Sequence, residues 1–138
     1  MWTVSSYRRL VRVSAIYDVF ATAAFATPWS FAWLHAQLAR LTAGWPGELP
    51  PFAPAHVLMA NLLGSLVLVW AVIRIRDPQV QYGRYDAVAR FLFAAWQAYA
   101  LAHGVSAILI GFLLFELGFG LLQAWPVGST GARHESHP

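Results

Sequence analysis

The sequence predicts an all-α protein, an integral membrane four-helix bundle with both termini on the cytoplasmic side. Three observations carry that expectation. Hydrophobic residues make up 59 % of the 138 residues and charged residues only 11 %, whereas a soluble domain carries about 25 % charged residues. So few charges cannot cover the surface of a small globule. Four apolar runs approach the roughly 20 residues that a helix needs to cross a bilayer. The basic residues, nine arginines and no lysine, cluster on alternate sides of those runs. The same composition excludes a disordered chain. A net charge of +3 is too small and too scattered for a face that tracks nucleic acid. With no cysteine, there is no disulfide framework, thiolate metal site or cysteine nucleophile.

The first span is expected over residues 13–34, after Arg8, Arg9 and Arg12. An arginine-rich start and Ala21-x-Ala23 imitate a signal peptide. The apolar run continues to Leu41, however, and Asp18 interrupts it, so the segment reads as a retained helix. Pro28 is expected to kink it by removing a backbone donor, and the stretch from Trp29 to Leu41 to leave the bilayer as a helix. The outer loop, 42–55, is rich in proline and glycine. It reads as a cap, with Trp45 and Phe52 at headgroup level. The second span is 56–73. A short polar inner loop follows, carrying Arg74, Arg76 and Arg84. The third span, 87–103, has Arg90 just inside it. Gly104-Val105-Ser106 forms a tight turn into the fourth span, 106–125. Residues 1–126 thus form one transmembrane domain, and 127–138 a flexible cytoplasmic tail with Arg133, His134 and His137. Only Arg40 lies on the outer side, which sets the orientation.

An internal echo suggests a duplicated helical hairpin. Aligning Tyr17-Asp18 with Tyr85-Asp86 also matches Ala21 with Ala89, Phe25 with Phe93, Ala26 with Ala94, Ala32 with Ala100 and His35 with His103. Chance matching of alanine-rich helices competes with duplication. A true repeat relates the halves by an axis along the membrane normal.

Polar residues inside the spans carry the functional signal, because lipid cannot satisfy them. Helical spacing aligns Ser14, Asp18 and Thr22 in span one, and Asn61 with Ser65 in span two. It aligns Asp86, Arg90 and Gln97 in span three, and Glu116 with Gln123 in span four. The simplest arrangement points all four stripes inward. Counting at 1.5 Å per residue puts Glu116 roughly 15 Å deep, level with Gln97 and near Ser65. Asn61 falls nearer the outer face, and Asp18, Arg90 and Gln123 nearer the inner one. Desolvation favours the neutral carboxyl form of Glu116, a proton donor. The plain alternative is an acid hydrogen-bonded to Gln97 or Asn61 for packing alone. Asp86 with Arg90 reads as an i, i+4 pair at a helix start. Asp18 has Arg90 or Arg12 as its candidate counter-ion.

Three further sets have weaker readings. His35, His56 and His103 end three spans and form a conceivable zinc or copper site. Nothing fixes their separation, so interfacial histidines are the preferred reading and no metal is expected. Gly104, Gly111 and Gly118 recur every seven residues and offer a packing groove for another subunit, as does Ala60 with Gly64 on span two. Trp2, Trp70 and Trp125 fit an interfacial belt, while Trp96 fills core or lines a pocket near the midplane. No hydrolase, P-loop, dinucleotide or metalloprotease motif is present.

The short arginine-flanked start, helix-initial Tyr17-Asp18 and Tyr85-Asp86, and four spans within this length resemble small bacterial membrane proteins of the DoxX-like type. That likeness implies a membrane accessory or redox-associated role. A second resemblance is to EXPERA-domain proteins, the sterol isomerase and sigma-2 receptor group. It rests on the long proline-containing outer loop and on acids inside the bundle. It implies an apolar ligand, or acid/base isomerisation of one. Both likenesses are of topology and carry over no residue role.

The leading expectation is therefore a bacterial inner-membrane protein with a partly polar pocket for a lipid-like or quinone-like molecule. Phe93, Trp96, Phe112 and Phe119 supply its apolar walls. Glu116, Gln97 and Asn61 orient the ligand, and Ser65, Asp18 and Arg90 complete the polar column. Beyond such a bound lipid or quinone, no cofactor is expected. The alternatives are an accessory subunit of a larger membrane complex, an isomerase-type enzyme using Glu116 as acid/base, and a small proton-coupled transporter working as a dimer. Expected partners are membrane lipid and a second copy or larger complex, reached through the glycine seam, and not nucleic acid.

Overall fold

The computed structural model describes residues 1–128, and within them the protein is all-helical, with five α-helices and no strand. Helix α1 runs Val4–Thr22. Thr3 caps it, its hydroxyl accepting from the Ser6 N–H at 3.2 Å. A 3-10 turn at Ala23–Phe25 follows, then α2 at Pro28–Leu41. The chain bends by 97° between them. Residues 13–34 are thus broken into two helices rather than merely kinked. The break precedes Pro28, which starts the second helix. Proline disfavours the helical conformation in the residue before it. Thr27 is accordingly extended, at φ −133° and ψ 151°, and caps α2 through the Ser30 N–H.

Helix α3 spans Pro54–Arg76, α4 Val80–Ala102 and α5 Leu109–Ala124. Of these, α3 alone is long and apolar enough by itself to cross a membrane; α5 is apolar but shorter, at 16 residues. The apolar runs misplace several boundaries. Helix α1 starts nine residues before the expected span and α4 seven before, because the polar residues ahead of each apolar run are themselves helical. The inner loop shrinks to Asp77–Gln79 between α3 and α4. Residues 106–108 precede α5. Gly104 adopts φ +86° in the turn, so the seven-residue glycine seam reduces to Gly111 and Gly118 on α5.

Both ends of the fold are tied by backbone bonds. At one end the Trp2 N–H donates to the Pro126 carbonyl at 2.8 Å, and the Gly128 N–H to the Trp2 carbonyl at 2.8 Å. The start of α1 and the end of α5 therefore meet. At the other end the 42–53 segment caps the α4–α5 turn. The Glu48 N–H donates to Gly104, Ser106 to Glu48 and Ala107 to Pro46, all within 3.0 Å. Gly47, at φ +84°, is required there, because a Cβ would lie 2.5 Å from the Val105 carbonyl oxygen.

Helix α1 contacts α3, α4 and α5, and α4 packs along α5. Small residues set the close approaches. Gly64 of α3 lies against Phe25, and Gly83 of α4 against Val11 and Tyr7. The internal echo does not extend through the fold. α1 stops at Thr22, whereas the matched part of α4 continues as helix to Ala102, and His35 lies beyond the bend. The expected tail falls outside the described residues from 129 onward, including Arg133, His134 and His137; residues 127 and 128 lie against Trp2.

Candidate functional site

Five charged side chains from four helices meet in the interior. Asp18 comes from α1, Arg74 from α3, Asp86 and Arg90 from α4, and Glu116 from α5. Arg90 is the hub. Its Nε lies 3.0 Å from Asp86 Oδ2, Nη1 2.9 Å from Glu116 Oε2 and Nη2 2.8 Å from Asp18 Oδ1. Arg74 forms the second bridge. Its Nη2 is 2.5 Å from Asp18 Oδ2 and its Nη1 2.6 Å from Asp86 Oδ2. Asp18 and Asp86 thus each share both guanidiniums, while Glu116 depends on Arg90. Arg74 is fully buried and Arg90 2 % exposed.

Neutral groups complete the cluster. Gln123 donates from Nε2 to Ser14 Oγ at 2.8 Å and to Asp86 Oδ2 at 2.9 Å, and the Trp70 indole donates to Asp86 Oδ1 at 3.2 Å. The Tyr7 hydroxyl donates to the Gln123 carbonyl at 2.6 Å and locks α1 to the end of α5. Aromatic faces cover the guanidiniums: Phe119 stands 4.9 Å from Arg90, and Trp70 5.3 Å from Arg74. Three carboxylates against two guanidiniums leave one negative charge when all are ionised. Buried charges persist only when paired and hydrogen-bonded in this way.

The sequence stripes on α1, α4 and α5 do point inward, since Ser14, Asp18, Asp86, Arg90, Glu116 and Gln123 are all buried. The expected depths need correction. Arg90 sits near the middle of α4, because that helix begins at Val80, and so it lies level with Glu116 rather than nearer one face. Glu116 pairs with Arg90 rather than with Gln97 or Asn61. Its Oε2 accepts from Arg90 Nη1 at 2.9 Å. Asp86 lies well inside α4, so its role is charge pairing rather than favouring a helix start. Of the two counter-ions considered for Asp18, Arg90 is the one used; Arg12 donates to the Ile75 carbonyl.

Other members of the expected column lie elsewhere. Asn61 donates to the Phe25 carbonyl at 2.7 Å and so secures the bend after α1. Ser65 faces outward on α3, and Trp96 is 66 % exposed on α4. Phe93 is also exposed, while Phe112 and Phe119 are half-buried. Gln97 is half-buried, and its Oε1 has no hydrogen-bond partner among the described residues. Two cavities lie at the ends of the fold. One is lined by arginines of α1, the other by Met1, Trp2, Leu122 and Trp125. Neither borders Glu116.

The histidines act separately. His35 bonds the Pro50 carbonyl, His56 accepts from the Ala53 N–H, and His103 stacks on Tyr99. Among the described residues, no group of three or more His, Asp or Glu side chains is arranged to hold a metal ion. Trp70 is part of the cluster through its indole N–H.

Arg74, placed in the inner loop by its sequence position, is the member of the cluster that apolar runs do not reveal. A signal for it existed. The buried positions of α3 are Gly64, Ala71 and Arg74, a spacing of seven and then three that keeps one helix face. Following the small residues rather than the polar pair Asn61 and Ser65 finds it. Comparison with protein-family models, with curated proteins and with solved structures finds no match for this chain, so the two topological likenesses assign no role to any of these residues.

Proposed function

We propose that the chain is an integral protein of the bacterial inner membrane, a four-helix bundle of α1, α3, α4 and α5. Both termini face the cytoplasm, and the protein serves as a non-catalytic accessory subunit of a larger membrane assembly. One observation carries the membrane reading: the polarity is inverted. The largest fully buried side chains include Arg74, Arg90, Tyr7 and Gln123, while Leu62, Leu66, Val69, Trp96, Leu114 and Leu121 are each more than half exposed. Soluble proteins bury the second set and expose the first. In a bilayer this arrangement is the favourable one, because the charged groups satisfy one another and lipid covers the rest. The meeting of the α1 start with the α5 end supports termini on one side, and the arginine distribution favours the cytoplasmic side for them.

The accessory reading follows from what the cluster leaves over. The three acids and both guanidiniums are engaged with one another. This favours a lock that holds four helices rigid over a site that turns over substrate. Gly111 and Gly118 have nothing within 4 Å of an added Cβ among the described residues. They leave a smooth strip on α5 where another transmembrane helix can approach closely. Co-purification in mild detergent tests this, comparing the wild type with Gly111→Leu/Gly118→Leu. The reading expects a partner, or a second copy, that the variant loses while staying folded. A monomeric wild type with no partner contradicts it.

The second reading is the pocket for a lipid-like or quinone-like molecule. It is favoured by the Tyr17 hydroxyl and Gln97 Oε1, buried polar atoms without partners among the described residues, and by the residual exposure of Asp18 and Glu116 at 8 % and 9 %. Native mass spectrometry from membrane extract separates the two, since it reports bound small molecules and subunit number together. A retained apolar molecule lost in Glu116→Gln favours the pocket.

A further inference from the structure

Outside the buried cluster lies a second concentration of charge, at the end of the fold where α1 begins. Ser5, Arg8, Arg9 and Arg12 lie on one face of α1, at spacings of three, four and seven. They line a groove of about 510 Å³ whose opposite wall is Asp77 and Pro78 of the α3–α4 turn. All three arginines are exposed, and among the described residues none of them forms an ion pair. Arg12 is oriented by its Nε bond to the Ile75 carbonyl at 3.2 Å, and Asp77 accepts from the Gln79 amide. Counting Asp77 against the arginines, the groove carries two positive charges. Trp2 and Trp125 flank the same end of the fold, Trp2 through its indole bond to the Leu122 carbonyl.

We propose that this groove holds the phosphate of an anionic phospholipid headgroup in the cytoplasmic leaflet. The inference rests on the membrane reading above, which brings this end of α1 to headgroup level. Four features point to the ligand. Guanidiniums present paired donors that match phosphate oxygens. The N-terminus of α1 adds the positive end of its dipole. Trp2 and Trp125 have the amphipathic rings that favour the interface. The wall formed by Asp77 and Pro78 makes the charge concave rather than a flat patch, so it favours a bound headgroup over a diffuse counterion layer.

The test uses the full chain in mild detergent, probed by native mass spectrometry with phosphatidylglycerol and phosphatidylcholine added in equal amounts. The wild type is expected to retain phosphatidylglycerol preferentially. Each arginine near an anionic surface contributes a factor of about five, so Arg8→Gln/Arg9→Gln should lower that retention roughly 25-fold. Arg40→Gln, on α2 at the other end, should leave it unchanged. Equal retention of the two lipids, or an unaffected double variant, overturns the proposal. Millimolar inorganic phosphate is the competing arm. If it strips phosphatidylglycerol from the wild type, the site is one for free phosphate and the lipid assignment is wrong. Alkaline carbonate extraction of membranes is run alongside. Release of the protein overturns the membrane reading together with this one. Retention in the membrane without lipid preference overturns this inference alone.

Discussion

Replacing Arg74 by glutamine should nearly unfold the protein, although the residue lies next to a chain turn. Arg74 is fully buried and bridges Asp18 and Asp86 at 2.5 Å and 2.6 Å. Removing it leaves three carboxylates sharing only Arg90. Breaking a buried pair by deleting one partner costs about 3–5 kcal/mol, a large part of the roughly 5–15 kcal/mol that holds a folded chain together. The loss should be recoverable. Arg74→Gln/Asp86→Asn removes one charge of each sign and restores the excess to a single negative charge. Denaturant titration in detergent, followed by tryptophan fluorescence, measures all four corners of the double-mutant cycle. Arg74→Gln should lose several kcal/mol, and the double variant should be clearly more stable than the single one. A single variant within about 0.5 kcal/mol of the wild type, the range of an ordinary surface change, would refute the reasoning. So would a double variant no better than Arg74→Gln.

Three smaller tests follow. Tyr7→Phe removes the hydroxyl bonded to the Gln123 carbonyl at 2.6 Å and should cost about 1 kcal/mol in the same titration. Gly47→Ala should destabilise by more than 1 kcal/mol, because its φ is +84° and the new Cβ meets the Val105 carbonyl; Gly44→Ala, equally strained but facing open space, isolates the cost of the clash. Gln97→Leu removes a buried oxygen with no partner among the described residues, so it should be neutral or stabilising. Destabilisation would show that Gln97 makes a bond the fold depends on.

Much of the architecture was legible in the sequence, and the errors share a cause. Apolar runs located α3 and the cores of α1, α4 and α5. They misplaced the ends because in this chain charged residues belong to the helices' buried faces. Helix α4 begins at Val80 and carries Asp86 and Arg90 inside it. An apolar-run criterion starts it after Asp86, and so misjudges how deep Arg90 lies. The same criterion ended α3 at Ile73, one residue short of the arginine that completes the cluster. Inward stripes on α1, α4 and α5 were readable from 3.6-residue spacing alone. The pairing of Glu116 with Arg90 was not, because partner choice depends on how helices are staggered, and single-helix periodicity carries no such information. Thr27 and Pro28 mark a helix boundary in plain view, yet hydropathy runs straight through them. Asn61 was polar at the right spacing, but its bond to the Phe25 carbonyl exists only because the chain bends there.

The membrane reading is open to one direct measurement. The chain has no cysteine, so single-cysteine reporters are free of background. Gln81→Cys lies in the first turn of α4, and Ala43→Cys in the segment between α2 and α3 at the opposite end; both positions are exposed. Labelling of intact spheroplasts with a membrane-impermeant maleimide should modify position 43 and spare position 81 until the membrane is opened. Equal labelling of both positions before opening, or of neither, would contradict a chain whose charged interior is shielded by a bilayer.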